Sequence, residues 1–180
     1  MKNAITALKL FLCMTIITGV LYPLAVWAGA QVLFKEKSEG SLLTIKGRVV
    51  GSGLVGQEFS RPEYFWPRPS ATGYNPMPSG GSNLSLTGEQ LMSAIKERRK
   101  KFPQAAVPSD LLLASGSGLD PHISPEAALL QCDRVAAERG ALKGDIISLI
   151  NTMTEQRQAG FLGEPRVNVL LLNLELDEMK

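Results

Sequence analysis

The sequence predicts an α+β soluble domain anchored by one N-terminal transmembrane helix. Three observations carry that prediction. Lys9 and Lys35 bracket 25 residues without a charge, "LFLCMTIITGVLYPLAVWAGAQVLF". Apolar residues then recur at helical spacing in three capped segments of the second half. Segments rich in β-branched or alternating apolar residues flank those helices on both sides. The expected organisation is an N-terminal tail over 1–9, a transmembrane helix over 10–34, a linker over 35–44 and a soluble domain over 45–180.

The apolar segment is long enough to span, since a bilayer core of about 30 Å takes roughly 20 helical residues. Gly19 and Pro23 are tolerated in a membrane helix. A secretory signal peptide is the rival reading: Lys2 and Lys9 supply a basic start, and "AGA" over 28–30 has the small-x-small form of a cleavage site. The apolar run is longer than a usual signal core, and "QVLF" prolongs it past the cut, so a retained span is preferred. Lys2 and Lys9 at one end, with Lys35, Lys37, Lys46 and Arg48 beyond the other, leave the orientation open.

Beyond the span the basic and acidic residues balance, 17 against 17. A domain of zero net charge lacks the basic excess of a nucleic-acid binder. Cys13 lies inside the span and Cys132 stands alone in the soluble part, so neither an intrachain disulfide nor a paired-cysteine zinc site is expected.

"KEKSEGS" reads as a polar linker and "LLTIKGRVVGSGLVG" as strand and turn. Residues 59–83, "FSRPEYFWPRPSATGYNPMPSGGSN", hold five of the 11 prolines between 62 and 78, which excludes a regular helix or a central strand. Phe59, Tyr64, Phe65, Trp66 and Tyr74 are five of the seven aromatic residues outside the span. Rings at that density are buried in their own domain or in a partner. Thr87 and Gln90 have the spacing of a capping box ahead of Leu91 and Ile95. That helix ends in Lys96, Arg98, Arg99, Lys100 and Lys101, read either as a solvated face complementing the helix dipole or as a patch for phosphates or acidic lipid heads. A second helix is predicted over Pro125–Arg139, stopped by Gly140. A third carries Ile146, Leu149, Ile150 and Met153. Leu170, Leu172, Leu174 and Leu176 alternate as in a closing strand.

Four motifs bear on chemistry. "GSGLVG" at 51–56 matches the dinucleotide glycine pattern letter for letter, but no helix follows and no acidic residue lies about 20 positions on. "SGGSN", with Ser79, Gly80, Gly81, Ser82 and Asn83, is either an anion-binding nest of amides or a turn. No Walker A sequence is present. "SGSGLDPHIS" places Ser115, Gly116, Ser117, Gly118, Leu119, Asp120, His122 and Ser124 together. A serine hydrolase using Ser115 or Ser117 with His122 is the alternative reading. Asp120 and His122 flank a proline in a short loop that suits a relay poorly, and G-x-S-x-G is not met. Ser124 before Pro125, with Glu126 in the first turn, reads as a helix cap.

"SGSGLDPHIS" closely resembles the signature of the KdpC family, the C subunit of the bacterial Kdp potassium-importing P-type ATPase. "VGQEF", "PEYFWPRPSATGYN" and "SGGSNL" resemble that family's first block. "QCDRVAAERG" resembles its middle helix and "LGEPRVNVLLLNLELD" its C-terminal strand. The resemblance covers nearly the whole chain and departs at "SLTGEQL".

The resemblance implies a non-catalytic accessory subunit, and the absence of an Asp-Lys-Thr-Gly phosphorylation motif agrees with that. It implies an ATP-hydrolysing P-type subunit, a channel-like potassium-binding subunit and a small membrane peptide as partners. It also implies a bacterial inner-membrane location with a periplasmic domain. Two roles come with it: structural support of assembly, and a catalytic chaperone that raises the ATP affinity of the hydrolysing subunit. ATP and potassium are then handled by the complex, with no cofactor held stably by this chain, no metal and no nucleic acid. Should a side chain meet nucleotide, Gln57 and the Ser79–Asn83 turn are the candidates. Ser115, Gly116, Gly118, Leu119, Asp120, His122 and Ser124 are expected to be structural or interfacial, and Phe59, Tyr64, Phe65, Arg68, Tyr74 and Asn75 to line an interface.

Overall fold

A computed structural model describes residues 2–104 and 106–179. The chain divides into two compact units, Met1–Val49 and Val50–Lys180.

The first unit opens with one continuous helical run, Lys2–Leu33, long and apolar enough to cross a membrane. The helix therefore starts at Lys2 and includes the expected tail. It consists of α1 (Lys2–Ile16), a π-helical turn (Ile17–Leu21) and α2 (Tyr22–Leu33). The wide turn has a local cause. Pro23 carries no N–H and its ring crowds the preceding turn, so the backbone widens and the Tyr22 amide donates to the Ile17 carbonyl instead. A short helix α3 (Lys35–Ser38) and strand β1 (Leu42–Ile45) follow. Lys46 and Gly47, both at positive φ, form the tight turn into β2 (Arg48–Ser52), with which β1 makes a two-stranded sheet.

In the second unit, residues 53–88 contain no helix or strand, as the prolines require. Helix α4 (Glu89–Arg99) and the single turn α5 (Ser109–Leu112) come next, then strand β3 (His122–Ile123) and helix α6 (Pro125–Arg139). Helix α7 (Lys143–Met153), strands β4 (Thr154–Glu155) and β5 (Arg166–Asn168), and helix α8 (Val169–Glu178) complete the chain. The three short strands form an antiparallel sheet in the order β3-β5-β4, with Ile123 and Thr154 both opposite Val167. Val167 on the central strand is fully buried, and the core around it comprises Phe65, Val135, Ile146, Ile150, Leu172 and Leu176.

Helix α6 has the bounds the sequence predicts. The Ser124 hydroxyl accepts the Ala127 amide at 3.1 Å, Pro125 starts the helix, and Gly140 at φ +64° ends it. Helix α7 buries Ile146 and Ile150 as its spacing requires.

Two local expectations fail. Thr87 does not cap α4: the cap position is Gly88, without a side-chain bond, and the Thr87 hydroxyl pairs with that of Ser85. The larger correction concerns the C-terminus. The alternating leucines form helix α8, and the strand is confined to Arg166–Asn168. Val169, Leu170, Leu172, Asn173 and Leu176 are buried, and Val169, Leu172, Asn173 and Leu176 follow helical spacing once Asn173 counts as an inward residue. Asn168 starts that helix by accepting the Leu171 amide at 3.2 Å.

Candidate functional site

The proline-rich loop creates the main physical problem of this domain. Phe65 is fully buried, yet its backbone belongs to no sheet that would satisfy its N–H and C=O. Two side-chain amides take the place of a partner strand. Asn173 of α8 accepts the Phe65 amide at 2.9 Å and donates to the Phe65 carbonyl at 3.0 Å. Gln131 of α6 does the same for Trp66, accepting at 2.8 Å and donating at 3.2 Å. Asn173 and Gln131 are each 1 % exposed, so both amides work in a dry environment where an unmade bond is costly.

Arginines close the arrangement from outside. Arg134 donates to the carbonyls of Pro62 and Tyr64 and to Gln131 Oε1, and its guanidinium lies 3.7 Å from the Trp66 ring centre. Arg139 donates to the carbonyls of Glu63 and Leu176 and to Asp177 Oδ1 at 2.6 Å. The Tyr64 hydroxyl donates to Asp177 Oδ2 at 2.9 Å, and the Phe59 ring packs on Tyr64 at 5.6 Å between centres. The aromatic loop is thus bound to α6 and α8 of its own domain.

A second set of contacts interlocks three glycine-containing loops. Gly56 donates to the Leu119 carbonyl at 2.7 Å, and Gly80 donates to the Ser117 carbonyl at 2.9 Å. Gly118 sits at φ +71° where a Cβ would lie 2.8 Å from both the Gly80 carbonyl oxygen and Thr72 Oγ1, so only glycine fits without rearrangement. Gly116 lies against Gly81. Buried Ser115 donates its amide to the Pro69 carbonyl, and the Ser117 hydroxyl accepts the Leu119 amide. Of the turn proposed as an anion nest, the Gly80 amide is therefore already used by the signature loop, while Ser82 and Asn83 are exposed. Gln57 lies elsewhere: it donates to the Val50 carbonyl and covers Gly51, in a groove shared with Leu170 and Asn173.

Asp120 is the hub of the signature loop. It accepts Arg68 Nη1 at 2.8 Å and the His122 amide at 3.0 Å, and His122 Nδ1 lies 3.4 Å from the same carboxylate. Burial works to raise the Asp120 carboxyl. The His122 side chain and amide, together with the Arg68 guanidinium, outweigh that and hold it at about 2. The Arg68 carbonyl in turn accepts the Tyr74 hydroxyl at 2.7 Å. Burial, with the nearby Glu58 charge, pushes that phenol up to about 12. Asn75 accepts the Met77 amide and closes the adjoining turn.

Arg68, Asp120 and His122 line a depression of about 470 Å³ together with Asp110, Ser124, Glu126, Glu164 and Arg166. Its charges are mostly engaged: Asp110 accepts the Ser124 amide at 2.7 Å, Glu164 pairs with Arg157, and Arg166 with Glu155. Neither Ser115 nor Ser117 lines it, so the hydroxyls of the hydrolase alternative are not presented there beside His122. The arrangement fixes loops, and among the described residues no hydrogen bond joins the Ser115 or Ser117 hydroxyl to His122.

Sequence reasoning singles out the signature loop and the aromatic loop, and the structure packs both against the rest of the domain. That reasoning misses Gln131, Arg134, Arg139 and Asn173. One signal for Gln131 was present: it falls on the α6 face that carries Ala127, Ala128, Cys132 and Val135, all buried.

The chain matches the family described as KdpC, K+-transporting ATPase, c chain, over residues 4–178. It is 50% identical over 187 residues to the potassium-transporting ATPase KdpC subunit of Geobacter sulfurreducens, covering 99% of each chain. The protein of the same description from Dechloromonas aromatica is 50% identical over 182 residues, covering 96% of this chain and 95% of its own. That from Leptospira interrogans is 48% identical over 176 residues, with 95% and 91% covered.

Proposed function

Because the chain belongs to the KdpC family of potassium-transporting ATPase subunits, we propose that it is the non-catalytic accessory subunit of a high-affinity, ATP-driven potassium importer. It supports assembly of the complex and acts as a chaperone that raises the ATP affinity of the hydrolysing subunit. Its partners are that P-type subunit, a channel-like potassium-binding subunit and a small membrane peptide. It sits in the bacterial inner membrane through its apolar N-terminal helix, with the folded domain on the periplasmic side. ATP and potassium are bound by the other subunits, and this chain holds no stable cofactor.

One observation carries the accessory reading: the polar groups of the signature loop are directed at the protein itself. Asp120 is held by Arg68 and His122, and the amides of Gly56 and Gly80 are bonded to the carbonyls of Leu119 and Ser117. A loop built this way presents a rigid surface and no reacting group. On this reading any effect on ATP affinity is transmitted through subunit contacts, and Gln57 and Ser79–Asn83 are the residues to substitute first should a direct nucleotide contact be sought.

The test is purification of the tagged chain from potassium-starved cells in mild detergent. A P-type ATPase and a multi-span membrane protein are expected in stoichiometric amount, and recovery of the chain alone would overturn the assembly role. The chaperone role predicts that the complex lacking this chain shows a raised KM for ATP; an unchanged KM removes that part of the proposal.

A further inference from the structure

The basic end of α4 takes no part in the loop network of the signature segment, and the structure divides its cations. Lys100 pairs with Glu97 at 2.6 Å, Arg99 donates to the Phe102 carbonyl at 2.7 Å, and Lys96 is exposed. Arg98 and Lys101 instead line a cavity of about 520 Å³. Arg98 is braced there, its Nη1 donating to the Leu112 carbonyl at 2.6 Å, while Lys101, just past the helix, is exposed. Among the described residues no carboxylate lies within ion-pair distance of either cation.

Much of the cavity wall is aromatic. Trp66, Tyr74 and Phe102 line it, with Trp66 and Phe102 edge to face at 5.9 Å between centres. The polar atoms of the first two are engaged by their own loop. Trp66 Nε1 donates to the Arg61 carbonyl at 3.1 Å, and the Tyr74 hydroxyl to the Arg68 carbonyl at 2.7 Å. What these residues offer the cavity is therefore ring carbon. Tyr74 is held at φ +60°, a conformation that bulky residues rarely adopt. Glu58 lines the cavity as well, and it and Arg98 both act on the Tyr74 phenol.

This combination selects a class of ligand. Two cations without a carboxylate partner, one of them already oriented, suit a phosphate. Ring surface beside them suits an apolar body joined to that anion, and the Glu58 carboxylate accepts hydroxyl donors from the same head. Lys96, Arg99 and Lys100 add to the positive charge of this helix end, which favours a head of net negative charge over a zwitterion. The chain's helix Lys2–Leu33, long and apolar enough to cross a membrane, tethers the domain where such an amphiphile is abundant.

We propose that this cavity is a headgroup site for an anionic phospholipid of the phosphatidylglycerol type. Arg98 and Lys101 hold the phosphate, Glu58 accepts the glycerol hydroxyls, and the first carbons of an acyl chain lie against Trp66, Tyr74 and Phe102. The bound lipid gives the folded domain a second attachment to the membrane. The inference goes beyond the accessory role and is tested on the chain alone.

Trp66 itself is the probe. The chain has two tryptophans, so Trp27→Phe leaves Trp66 as the only emitter. The full-length Trp27→Phe chain is reconstituted in phosphatidylcholine vesicles with a guest lipid brominated in its acyl chain, since bromine quenches tryptophan on contact. Brominated phosphatidylglycerol is expected to quench Trp66 at a roughly tenfold lower membrane fraction than brominated phosphatidylcholine, and Lys101→Gln to remove roughly fivefold of that preference. Lys101→Arg should keep the preference. Lys96→Gln, on the same helix but off the cavity, should leave it unchanged. Arg98→Gln should act as Lys101→Gln does, with protection of the Cys132 thiol from alkylation showing that the domain is folded. Equal quenching by the two lipids overturns the inference. So does an equal loss from Lys96→Gln, which would mean diffuse surface charge in place of a cavity. A response of Trp66 to soluble glycerol phosphate, with none to lipid, identifies a free phosphate ester and overturns the lipid. A response only when other ATPase subunits are added assigns the cavity to a protein and overturns it too.

Discussion

Replacing Asn173 by Leu tests whether buried side-chain amides stand in for a missing strand. Leu has the same number of side-chain heavy atoms as Asn and branches at the same carbon, so the substitution removes the hydrogen bonds without opening a cavity. It leaves the Phe65 N–H and C=O, now bonded at 2.9 and 3.0 Å, without partners at a residue with no exposure. Each buried unsatisfied group costs roughly 1–3 kcal/mol. The added apolar burial returns about 1 kcal/mol, so for the two groups together a net loss of about 1–5 kcal/mol is expected. For a domain of this size that lowers Tm by roughly 3–20 °C.

The assay is thermal unfolding of the detergent-solubilised chain, followed by tryptophan fluorescence because Trp66 adjoins the affected segment. Hydrogen exchange at the Phe65 amide supplies the local readout and should accelerate by at least the same free energy. A Tm change below about 3 °C with unaltered exchange at Phe65 would refute the reasoning, since the loop would then be held by its aromatic packing alone.

Gly118→Ala places a Cβ 2.8 Å from the Gly80 carbonyl oxygen at a positive φ; we expect a loss of about 2 kcal/mol or more in denaturant titration, from strain and overlap together. The depressed Asp120 carboxyl makes stability pH-dependent in a defined direction. Its contribution is present above the unfolded value near 4 and is lost as pH falls towards about 2. With the side chain still 30 % exposed, the amount is about 1–2 kcal/mol. Denaturant midpoints measured from pH 6 to pH 2 should show that loss in the wild-type chain and a flatter profile in Asp120→Asn. Cys132 is fully buried, and burial pushes its thiol up to about 11. Alkylation by a maleimide at pH 7.5 should therefore spare it in the folded chain and modify it fully in denaturant.

Elements whose cause lies in neighbouring residues were legible in the sequence. The apolar run announces a helix able to span, whose π-helical turn adjoins Pro23. Ser124, Pro125 and Gly140 delimit α6 because capping and φ preferences act within a few residues. The prolines of 62–78 rule out regular structure for the same local reason. The signature loop and the aromatic loop stand out by composition and by resemblance, and both are held by internal hydrogen bonds.

Other features depended on partners far along the chain. Leu170–Leu176 has the alternation of a strand, and tertiary packing made it a helix because Asn173 turns inward to serve Phe65, more than a hundred positions away. Periodicity assigns an asparagine to water; only the unsatisfied backbone of a distant proline-rich loop gives it a reason to be buried. Gln131 and Arg134 follow the same logic, and so does Gly118, whose need for a bare Cα arises from Gly80 and Thr72 in another loop. The sequence by itself determined the helical span, the α+β class, the caps of α6 and the segments of interest. The tertiary structure decided which polar side chains turn inward, because burying a backbone carbonyl or amide creates a demand that has to be met from wherever the fold brings a partner.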